Sequence, residues 1–128
     1  IVVCAKGLDI QSLNFPAQIL QNNFPTAKIA MLSGPNFARE VALSKPTKTV
    51  IASSDINFLS YLIKLFKTDF FLPYGSSDPM GVQICGAFKN VLAVAVGMAQ
   101  GLNLGENFRA ALITAGLCEM NKLVLKLL

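Results

Sequence analysis

Three times in succession an apolar run of strand length is followed by a stretch with helical spacing, and this alternation constrains the fold more than any other feature of the chain. Ile1 to Ala5 is wholly apolar and leads through Lys6-Gly7 into Ile10 to Phe24, where Leu13, Ala17, Leu20 and Phe24 recur at helical intervals. Lys28 to Leu32 reads as a short strand, Gly34-Pro35 breaks it, and Asn36 to Leu43 reads as a short helix. Thr47 to Ala52 is β-branched and apolar, Ser53-Ser54-Asp55 offers capping groups, and Ile56, Leu59, Ile63 and Phe66 return at helical spacing. Phe70-Phe71-Leu72 opens a further strand.

Strands alternating with helices predict a largely parallel sheet covered on both faces, the architecture of dinucleotide-binding domains. After Tyr74 to Pro79 the alternation stops. Met80 to Gln100 and Asn107 onward read as helices, joined by a Gly-rich turn from Gly101 to Gly105. The expected fold class is therefore α/β followed by all-α, with segments 1–78 and 79–128 as parts of two domains. Ile1 begins without an initiator Met or a preceding helix, and Leu123 to Leu128 stop inside a helical pattern without a Gly or Asn cap, so the sequence reads as an internal piece of a longer chain.

Composition removes several function classes. Only 14% of the residues are charged while 53% are hydrophobic, so extensive burial is expected. The longest apolar stretch, Val91 to Ala99, is bounded by Asn90 and Gln100 and falls short of the roughly 20 residues of a spanning helix, so no membrane span is expected. The net charge of +4 comes from cations scattered between Lys6 and Lys126, without the basic run or interleaved aromatics of a nucleic-acid surface; the surplus better suits small phosphates. Cys4, Cys85 and Cys118 lie far apart in apolar segments, and the chain has no His, so buried reduced thiols of a cytoplasmic protein are expected and no metal site.

One lysine stands out. Ile84, Phe88, Val91, Ala95 and Met98 form an apolar stripe, and Val82, Cys85, Ala93 and Val96 make the opposite side apolar too, the pattern of a buried helix. Lys89 lies within it, with no Asp or Glu within four residues on either side, so its partner is expected to be non-local or a ligand. Burial disfavours the ammonium form and moves a lysine toward proton-transfer chemistry; a side chain snorkelling to the surface is the plainer alternative. Asn90 beside it reads first as a buried, hydrogen-bonded helix-packing group.

Ala5-Lys6-Gly7, Leu32-Ser33-Gly34-Pro35-Asn36-Phe37-Ala38-Arg39-Glu40, Gly86-Ala87-Phe88-Lys89-Asn90-Val91 and Gly101 to Asn107 through Glu119-Met120 together resemble the successive signatures of NAD(P)-dependent glycerol-3-phosphate dehydrogenases. They occur in order along essentially the whole chain. The resemblance implies the second half of a Rossmann-type domain followed by the first helices of a helical substrate domain. It implies hydride transfer between a nicotinamide dinucleotide, NAD or NADP, and dihydroxyacetone phosphate, giving glycerol 3-phosphate for phospholipid synthesis. Lys89 then corresponds to the lysine through which the proton passes, Lys6 to a contact of both cofactor and substrate, Gly34, Asn36 and Asn90 to the substrate side, and Ala38 to the cofactor side. Free N–H groups at the start of the helix after Gly34 suit an anion; without the resemblance the segment reads as a Gly-Pro turn capped by Asn36. The apolar helices would accommodate a homodimer of the full-length protein.

The chain departs from the family pattern at Asn36, where Ser or Thr is usual, at Ala115, where Arg is common, and at Lys126 and the closing leucines, where a Gly-containing sequence is usual. Gly101 to Gly105 joins two helices and so is no dinucleotide fingerprint; the pyrophosphate turn is expected ahead of Ile1, and further substrate residues beyond Leu128. The 128 residues alone are accordingly expected not to turn over substrate. Two other readings remain: a related two-domain dehydrogenase of the 3-hydroxy acid or 6-phosphogluconate type, and a non-catalytic helical dimerisation module.

Overall fold

The computed structural model describes residues 1–127. They divide into two compact units, one from Ile1 to Gln83 and a second beginning at Ile84.

The first unit is a four-stranded sheet with helices on both faces. Its strands are β1 (Val2–Val3), β2 (Ala30–Ser33), β3 (Thr47–Ala52) and β4 (Phe71–Ser76), adjacent in that order. Helix α1 (Pro16–Asn23) crosses from β1 to β2, α2 (Ala38–Ala42) lies between β2 and β3, and α3 (Ile56–Phe66) crosses from β3 to β4. Side chains alternate across the strands and so build two cores. On one face Ala30 and Ile51 pack with Leu59 and Leu62 of α3; on the other, Val3, Met31 and Ala52 meet Ala17 and Leu20 of α1 and Val82.

β1 pairs parallel with β2, and β3 parallel with β4, but β2 and β3 are antiparallel, so the sheet is mixed where a largely parallel one is expected from the sequence. The reason is the length of α2. Its five residues rise about 7.5 Å at 1.5 Å per residue, too little to carry the chain back along a strand for a parallel crossover. The chain turns at the end of β2 and returns directly as β3.

Other boundaries shift for local reasons. α1 starts at Pro16 and not near Ile10, because Asp9 Oδ2 accepts from Ser12 N at 2.7 Å and Ser12 Oγ at 2.6 Å, and Leu13 is left-handed at φ 56°. Phe15, at the N-cap, has no side-chain acceptor for the first helical N–H groups. That acceptor comes from Gln83, a buried residue whose Oε1 receives Ala17 N at 2.9 Å. α3 follows its pattern, with Asp55 at the N-cap accepting from Phe58 N at 2.8 Å. The Asp55 carboxyl is held below the usual aspartate range, first by the hydrogen bond from Lys28, 2.7 Å away, and then by Phe58 N–H.

α4 (Pro79–Gly101) begins in the first unit and continues into the second, where α5 (Glu106–Leu127) follows. Asn103 (φ 54°) and Gly105 (φ 87°) supply the left-handed residues of the turn between them. By length and composition alone α4 would pass for a membrane span. It is also less buried than its all-round apolarity predicts: Val91, Val94 and Met98 are each more than 60% exposed. The thiols differ from expectation as well, since Cys4 and Cys118 are exposed and Cys85 half-buried. No disulfide links them among the described residues.

Candidate functional site

Because β1 and β2 are parallel, their carboxyl ends emerge on one edge of the sheet, and because β3 runs the other way its first residues return along that same edge. Two segments singled out in the sequence lie there beside the start of β3. Lys6 lies just past β1, exposed, followed by Gly7 at φ 127°, a backbone setting that strongly favours glycine. Ser33 ends β2, and Gly34, Pro35 and Asn36 follow it. Thr47, Lys48 and Thr49 begin β3.

Gly34 is required by close approach. A Cβ at this position would lie 3.0 Å from Thr49 Oγ1 and 3.1 Å from both Lys48 O and Thr49 Cα. Asn36 is half-buried and does not cap α2, whose N-cap is Phe37 with no side-chain hydrogen bond. Instead Asn36 Nδ2 donates to Thr49 Oγ1 at 2.9 Å, and Thr49 Oγ1 donates to Ser33 O at 3.1 Å. Asn36 Oδ1 is buried and has no hydrogen-bond partner among the described residues. Ala38 opens α2 on the surface.

Lys89 and Asn90 belong to the second unit, in the middle of α4. Lys89 is half-buried, while Asn90 is exposed and not the buried packing residue its apolar surroundings suggest. Sequence reasoning does not reach Thr49. A polar residue at an inward position of an apolar strand was the available signal, and Thr49 is only 2% exposed. Among the described residues no group of three or more His, Cys, Asp or Glu could hold a metal ion.

A sheet covered on both faces and a following helical region define a Rossmann-type α/β architecture continuing into helices. The comparisons narrow the class. Residues 1–59 match the family described as NAD-dependent glycerol-3-phosphate dehydrogenase N-terminus, and residues 78–128 match NAD-dependent glycerol-3-phosphate dehydrogenase C-terminus. The chain is 45% identical over 127 residues to glycerol-3-phosphate dehydrogenase [NAD(P)+] of Francisella tularensis, covering 99% of this chain and 38% of that protein. A relative of the same name from Francisella philomiragia matches at 45% with the same coverage. Among solved structures, glycerol-3-phosphate dehydrogenase from Coxiella burnetii superposes with a TM-score of 0.88 at 40% identity, over 96% of this chain and 38% of that one. The enzyme from Saccharomyces cerevisiae superposes with a TM-score of 0.84 at 28% identity, over 95% and 37%.

The chain belongs to the NAD-dependent glycerol-3-phosphate dehydrogenase family. It spans 38% of the length of the curated relatives it matches. α4 lies wholly inside the matched C-terminal segment, so its apolarity is that of a helix in this dehydrogenase family. A lysine near the middle of a spanning helix would in addition cost about 3 kcal/mol.

Proposed function

We propose that the full-length protein carrying this chain is an oxidoreductase that interconverts dihydroxyacetone phosphate and sn-glycerol 3-phosphate, using NAD or NADP and no metal. The observation that carries this reading is the match to named glycerol-3-phosphate dehydrogenases over 127 residues at 45% identity. The two other readings are less favoured, because both family matches, in chain order, are to glycerol-3-phosphate dehydrogenase.

The cofactor, when bound, supplies hydride to the substrate's carbonyl carbon or accepts it back. The residues at the sheet edge fit such a ligand pair: a cation at a strand end, a glycine where backbone runs close, and a buried acceptor without a partner. Lys6 balances phosphate charge and touches both cofactor and substrate. Ala38, small and on the surface, lets the cofactor approach the backbone of α2. Gly34 and Asn36 line the substrate side, and Asn90 hydrogen-bonds the substrate. Lys89 is the catalytic residue: its ammonium gives a proton to the carbonyl oxygen as the alcohol forms, and its amine takes that proton back in the reverse direction.

We assign residues 1–78 to the C-terminal part of the NAD(P)-binding domain and 79–128 to the N-terminal part of the helical substrate domain. The C-terminal family match beginning at residue 78 supports that division. The full-length protein is read as a cytoplasmic homodimer, for which the apolar residues exposed along one face of α4, Val91, Val94 and Met98, offer contact surface.

The test is steady-state oxidation of NADH and NADPH by the full-length protein. Dihydroxyacetone phosphate is offered beside the oxo acids and the 6-phosphogluconate of related dehydrogenases. Turnover with dihydroxyacetone phosphate at least about 100-fold more efficient than with the others is expected, well within the roughly 10⁴–10⁵-fold discrimination a hydrogen-bonded site achieves. Preference for an acid substrate, or no turnover with any, rejects the proposal.

A further inference from the structure

The Asn36, Thr49 and Ser33 chain has a direction, and the direction decides what Asn36 can bind. Ser33 O is a carbonyl and can only accept, so the single hydroxyl hydrogen of Thr49 goes to it, across 3.1 Å. Thr49 Oγ1 is then left with lone pairs only. The Asn36 group facing it, 2.9 Å away, must be the NH2 and not the carbonyl. Asn36 Oδ1 is thereby turned to the other side, buried and with no hydrogen-bond partner among the described residues.

Thr49 itself has little freedom to do otherwise. It is 2% exposed, and Gly34 packs so closely on it that a Cβ there would come within 3.0 Å of its hydroxyl oxygen. A buried amide oxygen left unpaired costs free energy, so a donor delivered by a ligand is favoured at that point.

We propose that Thr49 is a positioning residue that fixes the orientation of the Asn36 amide, so that Asn36 Oδ1 meets the ligand as a hydrogen-bond acceptor. The inference rests on the reading of Asn36 as a substrate contact. Ser or Thr, usual at position 36 in the family, carries a hydroxyl that both donates and accepts and could bind either a carbonyl or a hydroxyl. Asn36 held by Thr49 presents a buried, unpaired Oδ1, which a ligand hydroxyl satisfies and a carbonyl oxygen does not. The group it reads is therefore a hydroxyl of the polyol phosphate, and the contact favours the alcohol over any ligand lacking that hydroxyl.

Binding to the full-length protein, measured by calorimetry, tests this with glycerol 3-phosphate and its two monodeoxy analogues, propane-1,2-diol phosphate and 3-hydroxypropyl phosphate. One analogue is expected to bind about tenfold more weakly than glycerol 3-phosphate, the loss of one hydrogen bond. In Thr49→Val that ratio falls to within about twofold, and in Thr49→Ser, which keeps the hydroxyl, it returns. A readout independent of ligand is hydrogen exchange of the Asn36 side-chain amide: slow in the parent and in Thr49→Ser, fast in Thr49→Val.

Equal binding of all three ligands by the parent, or a ratio unchanged in a folded Thr49→Val, overturns the inference. So does an Asn36 amide that exchanges as fast in the parent as in an exposed asparagine. Should the parent bind none of the three ligands, the proposed function fails, and with it the hydroxyl contact; amide exchange then decides the positioning role alone.

Discussion

Replacing Gln83 by Met should loosen the start of α1 at a distance of 66 residues along the chain. Gln83 is 6% exposed, and its Oε1 receives Ala17 N at 2.9 Å. α1 cannot supply that acceptor locally, because Phe15 occupies the N-cap and Pro16 the next position. Gln18 Oε1 turns back to Phe15 N at 2.8 Å, leaving Ala17 N–H to Gln83. Met keeps the length and the packing of the side chain and removes the acceptor.

Loss of an N-cap acceptor costs about 1 kcal/mol, and a buried unpaired N–H about 1–3 kcal/mol. Ala17 is half-buried, which puts the expected cost at about 1–2 kcal/mol. The second bond of Gln83, from Nε2 to Pro79 O at 3.2 Å, adds little, since a carbonyl within a helix is also the acceptor for the backbone N–H four residues on. Amide hydrogen exchange of the full-length protein resolves the effect: protection at Ala17 should fall about 5–30-fold, with the sheet amides of β3 changed much less. Exchange at Ala17 within twofold of the parent would refute the reasoning.

Two further outcomes follow from the same unit. Gly34→Ala forces a Cβ onto Thr49 and Lys48 backbone at about 3.1 Å and should cost about 1–3 kcal/mol of stability while raising the KM for the phosphate substrate more than that for the cofactor; thermal unfolding and steady-state kinetics check the two parts. Asp55 has a folded pKa below its unfolded value of about 3.9, so its contribution is present above that value and lost as pH falls through the folded pKa. The stability difference between the parent and Asp55→Asn should therefore be constant above about pH 5 and shrink in acid, as read from denaturant unfolding across that range.

Much of the first unit is legible in the sequence for physical reasons that can be named. Thr47 to Ala52 is β-branched, Asp55 provides a cap, and Ile56, Leu59, Ile63 and Phe66 recur at helical spacing; β3 and α3 form where those signals lie, although Ile56 is exposed and Leu62 is buried beside Leu59. The antiparallel turn between β2 and β3 is not legible, because it depends on how few residues of α2 find helical partners. The late start of α1 has a local cause, the Asp9 and Ser12 turn, hidden beneath an apolar spacing that continues through it. Lys6, Gly34 and Asn36 stand out through residue type and family resemblance. Thr49 does not, since it meets Asn36 only through strand pairing across 13 residues of chain. All-round apolarity of α4 over-predicts burial, because composition records what a helix avoids and not what covers it.

The central claim, that Lys89 moves the proton in a dehydrogenase reaction, is tested most directly by Lys89→Met in the full-length protein. The substitution keeps the length of the side chain and removes the ionisable nitrogen. Oxidation of NADH or NADPH with dihydroxyacetone phosphate should proceed in the parent and fall roughly 10²–10⁴-fold in kcat in the variant, with its circular dichroism unchanged. A folded variant retaining kcat within about threefold of the parent would contradict the account, since such a change is worth under 1 kcal/mol of the barrier.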